Sequence, residues 1–441
     1  MQSLSRLYYG WVLVAGLMAV GAVSTGMGGV NLGLFIKPMR DELGIGTSIF
    51  GIAQTARLFG FALSGWIIGR LIDKHGARIP LAVAGLMAGG AMIALSQVTA
   101  GWQILLVFFV VGATGLQGGG GSLFMSVPLS NWFIRKRGKA MSIAFIGMPV
   151  GIFVFAPLSQ LLIDEIGWRD TWLVLGGGGA LITFLVAVFI VRRRPQDMGL
   201  RPDGDPPLSV TPGQVAGAPL RSFEGEVSWT RAEAVRSSIL HPSTFWRLTM
   251  IDGLRMLAMS SVGIFRVPYF IDDKGFDASI VAWSLSAEAI FAVFVSLPTG
   301  WAVDRYQPRY VAAVSTVLMI AGFLLTMTAS SIVMVFVATS VFGLGVASFI
   351  ICQNAVWPAY FGHAHIGSIR GFSTPIMLIF SAVGAPLTGI VRDTTGSYQP
   401  AWIVGTIGLA IAVLLLLVTP KPVKDPLPAP DATEPAATAV S

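Results

Sequence analysis

Roughly twelve apolar stretches run through this chain, each about 18–25 residues long and separated by short polar turns. About 20 apolar residues let a helix cross the hydrocarbon core of a bilayer. The pattern therefore predicts spans near 10–34, 48–71, 79–98, 102–128, 138–162, 170–191, 244–270, 279–303, 310–328, 331–355, 368–391 and 398–419. A membrane barrel would instead show strands of about ten residues with alternating polarity. The expected fold class is an all-α polytopic membrane protein.

The rhythm breaks once. Residues 192–243 are rich in Pro, Gly and charge, as in Arg201-Pro202-Asp203-Gly204-Asp205-Pro206-Pro207. They read as a cytoplasmic linker, with a short amphipathic helix around Trp229–Arg236. The linker divides a six-span bundle at 1–191 from a second at 244–420. Residues 421–441, rich in Pro and Ala, read as a disordered cytoplasmic tail. The first span is longer than a signal-peptide core and no small-residue cleavage site follows it, so it is expected to stay as the first helix.

Composition agrees with the periodicity. Of 441 residues, 54% are hydrophobic and 12% charged, against about 25% charged in soluble domains. The formal charge of +7 would suit nucleic acid if it were clustered on one soluble face. With the N-terminus placed in the cytoplasm, the bases instead collect on cytoplasmic loops. Arg70, Lys74 and Arg78 lie there, as do Arg135, Lys136, Arg137, Lys139, Arg192, Arg193, Arg194, Arg305, Arg309 and Arg370. The outer loops keep Lys37, Arg40, Arg169, Lys274 and Arg392. This positive-inside bias argues for loops held against an anionic leaflet, not for nucleic acid. It predicts a multi-pass membrane protein with both termini cytoplasmic. The single cysteine, Cys352, allows no intrachain disulfide, and His363 and His365 without further ligands make a poor metal site. No metal, no cofactor and no nucleophile–base pair is expected, which argues against an enzyme.

The two halves repeat. Gly69-Arg70-Leu71-Ile72-Asp73-Lys74-His75-Gly76-Ala77-Arg78 follows the second span. Gly300-Trp301-Ala302-Val303-Asp304-Arg305-Tyr306-Gln307-Pro308-Arg309 follows the eighth, with Gly, Asp, a base and Arg at the same spacing. Gly69 and Gly300 are read as points of close helix approach, and Asp73, Arg78, Asp304 and Arg309 as a charge-paired latch that gates the cytoplasmic side. These loops resemble the loop signature of the major facilitator superfamily. The resemblance implies two pseudo-symmetric six-helix bundles with a substrate site between them near the midplane.

A narrower likeness follows from Tyr8-Tyr9-Gly10-Trp11, Phe35-Ile36-Lys37-Pro38-Met39, Asn131-Trp132-Phe133, Arg137-Gly138-Lys139-Ala140, Gly167-Trp168-Arg169, the run from Arg194 to Gly204 and Asp393-Thr394-Thr395-Gly396-Ser397-Tyr398. In this order they resemble the bacterial branch of the monocarboxylate transporter and oxalate:formate antiporter group. That resemblance implies transport of a mono- or dicarboxylate by proton symport or anion exchange. The family's Arg in helix eight, its preceding Asp and its helix-one Lys fall at Ser296, Ala292 and near Val30 here.

Charge has moved elsewhere. Arg57, Asp252, Arg255 and Glu288 lie inside apolar spans, where a charge costs on the order of 3 kcal/mol or more unless it faces a wet cavity or a partner. Arg57 and Arg255 lie about ten and eleven residues, ~15–16 Å, from the nearer helix ends. Asp252 is one turn from Arg255 and placed to pair with it. Asp304 follows Asp73 by 231 residues, and Glu288 follows Arg57 by the same interval. The reading is that Arg57 and Arg255 attract a small organic anion, that Glu288 or Asp252 competes with it or carries a proton, and that Gln117 faces the cavity. The opposing reading is a set of structural ion pairs, Arg57–Glu288 and Asp252–Arg255. Arg266 is read as snorkelling or gating near the outer end of helix seven, and Trp357 and Trp402 as interfacial anchors. The alternatives in function are an exporter of amphipathic compounds and a non-transporting membrane sensor.

Overall fold

The structure, a computed structural model, describes residues 8–26, 28–116, 123–134, 136–204, 242–361 and 366–419. Gln117, most of the linker, His363, His365 and the tail lie outside the described residues. Every regular element among the described residues is helical.

Helices α1 (Tyr9–Gly26) and α2 (Gly29–Leu43) share the first predicted span. Helix α3 is Ser48–His75 and α4 is Arg78–Leu95. Helices α5 (Gly101–Ala113) and α6 (Leu123–Trp132) share the fourth span. Helices α7 (Arg137–Phe145) and α8 (Gly147–Leu185) carry the fifth and sixth, with Gly167 at φ 79° making the turn between them inside α8. Helix α9 (Pro242–Gly263) continues after a break into a helical turn, Arg266–Pro268. Then come α10 (Ala278–Arg305), α11 (Pro308–Thr328), α12 (Ile332–Phe361), α13 (Ile366–Thr395) and α14 (Gln399–Val418). Eight described helices are long and apolar enough to cross a bilayer, or nine if the pair Thr244–Gly263 and Arg266–Asp273, bent by 46°, counts as one. The 53-residue stretch Gly138–Ile190 holds two of the predicted spans, and α3 and the α5–α6 pair fill the remaining places.

The first helix runs further than predicted, to Leu43. Its polar last turn stays helical because Lys37 and Arg40 find a partner in Asp272, and Gly44, at φ 64°, closes it by donating to the Arg40 carbonyl.

Small residues let the helices meet backbone to backbone. A methyl group on Gly112 would sit 1.9 Å from the Arg57 carbonyl oxygen, so α5 lies directly on α3. One on Gly147 would sit 2.1 Å from the Met18 carbonyl, which fixes α8 against α1. Without a hydrophobic drive between helices in lipid, such close van der Waals contact is what holds a bundle together. Large apolar side chains such as Phe294, Leu297 and Val333 face outward, as a lipid-facing surface requires.

Several residues of the motifs that carried the narrower likeness prove to be stitching within the first half. Tyr8 Oη donates to the Trp132 and Arg201 carbonyls at 3.0 Å each. Asp203 accepts from the Ile134 and Lys136 amides, both at 3.0 Å. Trp168 Nε1 and Arg169 Nε both donate to Glu42, at 2.6 and 2.9 Å.

Candidate functional site

All six hydrogen-bonded side-chain links between the halves, among the described residues, involve one end or the middle of the bundle. Asp272 accepts from Lys37 Nζ at 2.9 Å and Arg40 Nη1 at 2.8 Å. Asp393 accepts from the Thr47 and Ser48 amides at 2.8 and 2.9 Å, capping the start of α3 from across the interface. Thr55 donates to the Ala382 carbonyl and Ser286 to the Phe153 carbonyl. We call this the distal end, since the linker joins the opposite one. At Gly69 and Gly300, near the linker end, the expected close approach is missing. A methyl at Gly300 would meet nothing within 4 Å, and one at Gly69 only Leu123 at 3.8 Å. The halves are thus clamped distally.

The predicted latch is also built differently in its second copy. Asp304 is exposed and forms no ion pair among the described residues. Arg309 is buried and donates instead to the Thr419 carbonyl, the Gln307 Oε1 at 3.1 Å and the Tyr310 hydroxyl at 2.9 Å. A guanidinium on the last carbonyls of α14 complements the negative end of that helix, which a carboxylate could not do. Arg78 is exposed at the start of α4.

The four midspan charges do not converge. Arg255, 1% exposed, has its donors taken within its own half. Its Nε donates to Thr316 Oγ1 at 2.9 Å, and Nη2 donates to the Ala312 carbonyl and Ser315 Oγ at 2.7 Å each. Its Nη1 lies 3.5 Å from Asp252, the pair expected from their spacing, and the guanidinium stacks 4.5 Å over the Phe349 ring. Asp252 in turn accepts from Trp357 Nε1 at 2.8 Å and Gln353 Nε2 at 3.3 Å. Trp357 is therefore a buried donor and not an interfacial anchor. Trp402 is fully buried too, with Nε1 donating to the Ser261 carbonyl at 3.4 Å. Arg57 sits half-buried in the middle of α3, on the helix that lies against α5.

Glu288 meets a different base. Its carboxylate accepts from Arg266 Nη2 in an ion pair. Arg266 is 2% exposed and lies 4.6 Å under the Phe342 ring, so it neither snorkels nor sits at an interface. It opens the helical turn after the 46° break, where Ile264 and Phe265 leave the helical ladder. The α2 backbone comes close here: a methyl on Gly33 would lie 3.0 Å from the Ile264 carbonyl. Two of the Arg266 nitrogens, Nε and Nη1, are buried with no hydrogen-bond partner among the described residues. Sequence reading underrated this residue. The signal was the Gly263–Pro268 interruption around it, since interrupted apolar segments mark binding sites in transporters.

The family model described as Major Facilitator Superfamily matches residues 18–265 and 248–441, nearly the whole chain. The chain belongs to the Major Facilitator Superfamily. Its members are transporters, and this one is a membrane transporter, not an enzyme. Among curated relatives, monocarboxylate transporter 13 of Rattus norvegicus is 26% identical over 426 residues, covering 93% of this chain and 89% of the relative. Monocarboxylate transporter 2 of the same species is 25% identical over 424 residues, covering 93% and 83%. Among solved structures, the nucleoside transporter NupG superposes with a TM-score of 0.67 at 15% identity, over 92% of this chain and 98% of that one. A bacterial homolog of the human lysosomal transporter Spinster, inward-facing and unoccupied, gives 0.66 at 15% identity over 95% and 96%. These structures share the major facilitator fold of two pseudo-symmetric six-helix bundles. At Ser296, where the family resemblance implied an arginine, the hydroxyl donates back to the Ala292 carbonyl at 2.8 Å.

Proposed function

We propose that the protein is a secondary active transporter of a small organic anion, a mono- or dicarboxylate, that works by alternating access between its two bundles. The curated relatives are named as monocarboxylate transporters, which supports the substrate class. The observation that carries the reading is Arg266. Its guanidinium is buried at a helix break with Nε and Nη1 unmatched and a single carboxylate partner. A buried donor without a partner costs about 1–3 kcal/mol. A planar guanidinium gives a carboxylate two parallel hydrogen bonds from Nη2 together with Nε or Nη1, so an incoming carboxylate takes the fork when Glu288 releases Nη2.

In this reading Arg266 receives the substrate carboxylate and Glu288 is its resident competitor. Protonation of Glu288 weakens its hold on Arg266 and favours the incoming anion, which is proton symport. Displacement of one anion by another at the same arginine is exchange. Among the described residues Arg266 is the charged group in contact with Glu288. The neighbouring α12 presents Gly343 to Glu288 and Phe342 to Arg266. Arg57 adds positive potential from the other half, and Gln117 is kept as a candidate lining residue there. Asp252 and Arg255 serve as the packing network that holds α9 to α11 and α12. The distal end is taken as the outer face of a bacterial inner membrane, with both termini in the cytoplasm.

Reconstituted protein tests this. Uptake of labelled mono- and dicarboxylates into proteoliposomes should be saturable in wild type, lost in Arg266→Ala and partly kept in Arg266→Lys. Normal rate and affinity in a folded Arg266→Ala protein would sink the proposal. Export of amphipathic dyes that tolerates this change would favour the exporter instead.

A further inference from the structure

A polar cavity lies away from Arg266, at the linker end of the first half. It has a volume of about 170 Å³ and is lined by Ile72, Gly76, Ala77, Val127, Pro128, Asn131 and the three consecutive arginines Arg192, Arg193 and Arg194.

Its walls are held in place by the chain around them. The Trp132 indole donates to the Arg192 carbonyl at 3.2 Å, tying the arginine run to the end of α6. Arg192 Nη1 donates to the Val188 carbonyl at 3.1 Å. Asp197 accepts from the Arg194 amide at 3.1 Å, which fixes the backbone and leaves the Arg194 side chain exposed. Gly76, at φ 76°, turns the chain from α3 into α4 with the Arg193 stem packed over it, 3.0 Å from where a methyl would stand. The side chain of Asn131 adds an amide to the polar wall.

Leu71 of α3, Ile79 of α4 and Ile134 after α6 all present exposed side chains close in sequence to its lining. Guanidinium groups at one end of a membrane bundle, beside lipid-facing aliphatic side chains, match the two parts of a phospholipid. The arginines meet the phosphate through charge-assisted hydrogen bonds, and the aliphatic side chains meet the acyl chains.

We propose that this cavity binds a phosphate group, and that its source is the headgroup of an anionic phospholipid in the leaflet at the linker end. The bound phosphate bridges the α3–α4 turn, α6 and the run after α8, and so stabilises the first half. The site is separate from the Arg266–Glu288 pair, and its occupancy does not depend on what is transported.

Full-length protein in detergent, supplied with phosphatidylglycerol or phosphatidylcholine, tests the site by thermal unfolding and by native mass spectrometry of retained lipid. Phosphatidylglycerol should raise the unfolding midpoint and remain bound, and phosphatidylcholine should do neither. The combination Arg193→Gln with Arg194→Gln should lose the phosphatidylglycerol-specific shift, and the corresponding double Lys variant should retain most of it. The milder Asn131→Ala should weaken it if the arginine variants fold poorly. Arg305→Gln, at the same end of the other half, is the control for general surface charge. Inorganic phosphate in the same detergent separates the sources: a shift equal to that of phosphatidylglycerol would overturn the lipid assignment and leave a soluble phosphate ligand. An unchanged shift in the double Gln and Asn131→Ala variants, or an equal loss in Arg305→Gln, would overturn the site.

Discussion

Asp393 should control which way the two halves face. Its carboxylate lies on α13, and it caps α3 of the other half through the Thr47 and Ser48 amides at 2.8 and 2.9 Å. Those bonds exist only while the distal end is closed. Asp393→Ala therefore destabilises the distal-closed state selectively. Loss of an N-terminal cap costs typically about 1 kcal/mol, and an exposed carboxylate belongs in the lower part of the 0.5–2 kcal/mol range. One kcal/mol changes the ratio of two conformations roughly fivefold. Spin labels at Thr99→Cys and Ser330→Cys, exposed positions in the distal loops of the two halves, report the separation in a Cys352→Ser background. Pulsed electron–electron distance measurements should show the longer-distance population grow by about that factor. Asp277→Ala supplies the control. Asp277 caps α10 through the Ser279 and Ile280 amides at 2.8 and 3.4 Å, wholly within one half. It should lower stability by a similar amount without moving the distances. An unchanged distance distribution in Asp393→Ala, or an equal shift in Asp277→Ala, would refute the clamp.

Other expectations follow from the same geometry. Glu288→Gln should keep substrate binding and flatten the pH dependence of uptake, measured as counterflow across external pH. A retained pH profile would remove Glu288 from proton coupling. Arg255→Met should unfold at lower temperature, by about 3–5 kcal/mol of stability, because Asp252 is then left buried without its ionic partner. Adding Asp252→Asn should recover part of that loss, and no recovery would count against the pair. Gly112→Ala should fail to accumulate as folded protein, since its methyl would enter the Arg57 carbonyl at 1.9 Å. Gly177→Ala, with nothing within 4 Å, should express normally. Arg57→Ala should lower the uptake rate, measured in proteoliposomes at equal amounts of reconstituted protein, and an unchanged rate would remove Arg57 from substrate attraction.

The sequence by itself determined the class of molecule. Runs of about 20 apolar residues admit one solution in lipid, because each backbone N–H and C=O must be satisfied within its own helix. The repeat of Gly69–Arg78 at Gly300–Arg309 added the two-bundle organisation. Local spacing was enough for the Asp252–Arg255 pair, three residues apart on one helix. The tertiary structure decided the partners across helices. Glu288 meets Arg266 and not Arg57, Arg309 reaches Thr419, and Trp357 turns inward to Asp252. A helix fixes how its own residues are spaced along and around its axis. Its rotation, and how it sits against its neighbours, follow from packing of small residues such as Gly112 and Gly147 against other backbones. Spacing along each helix was therefore legible residue by residue, and facing direction was not.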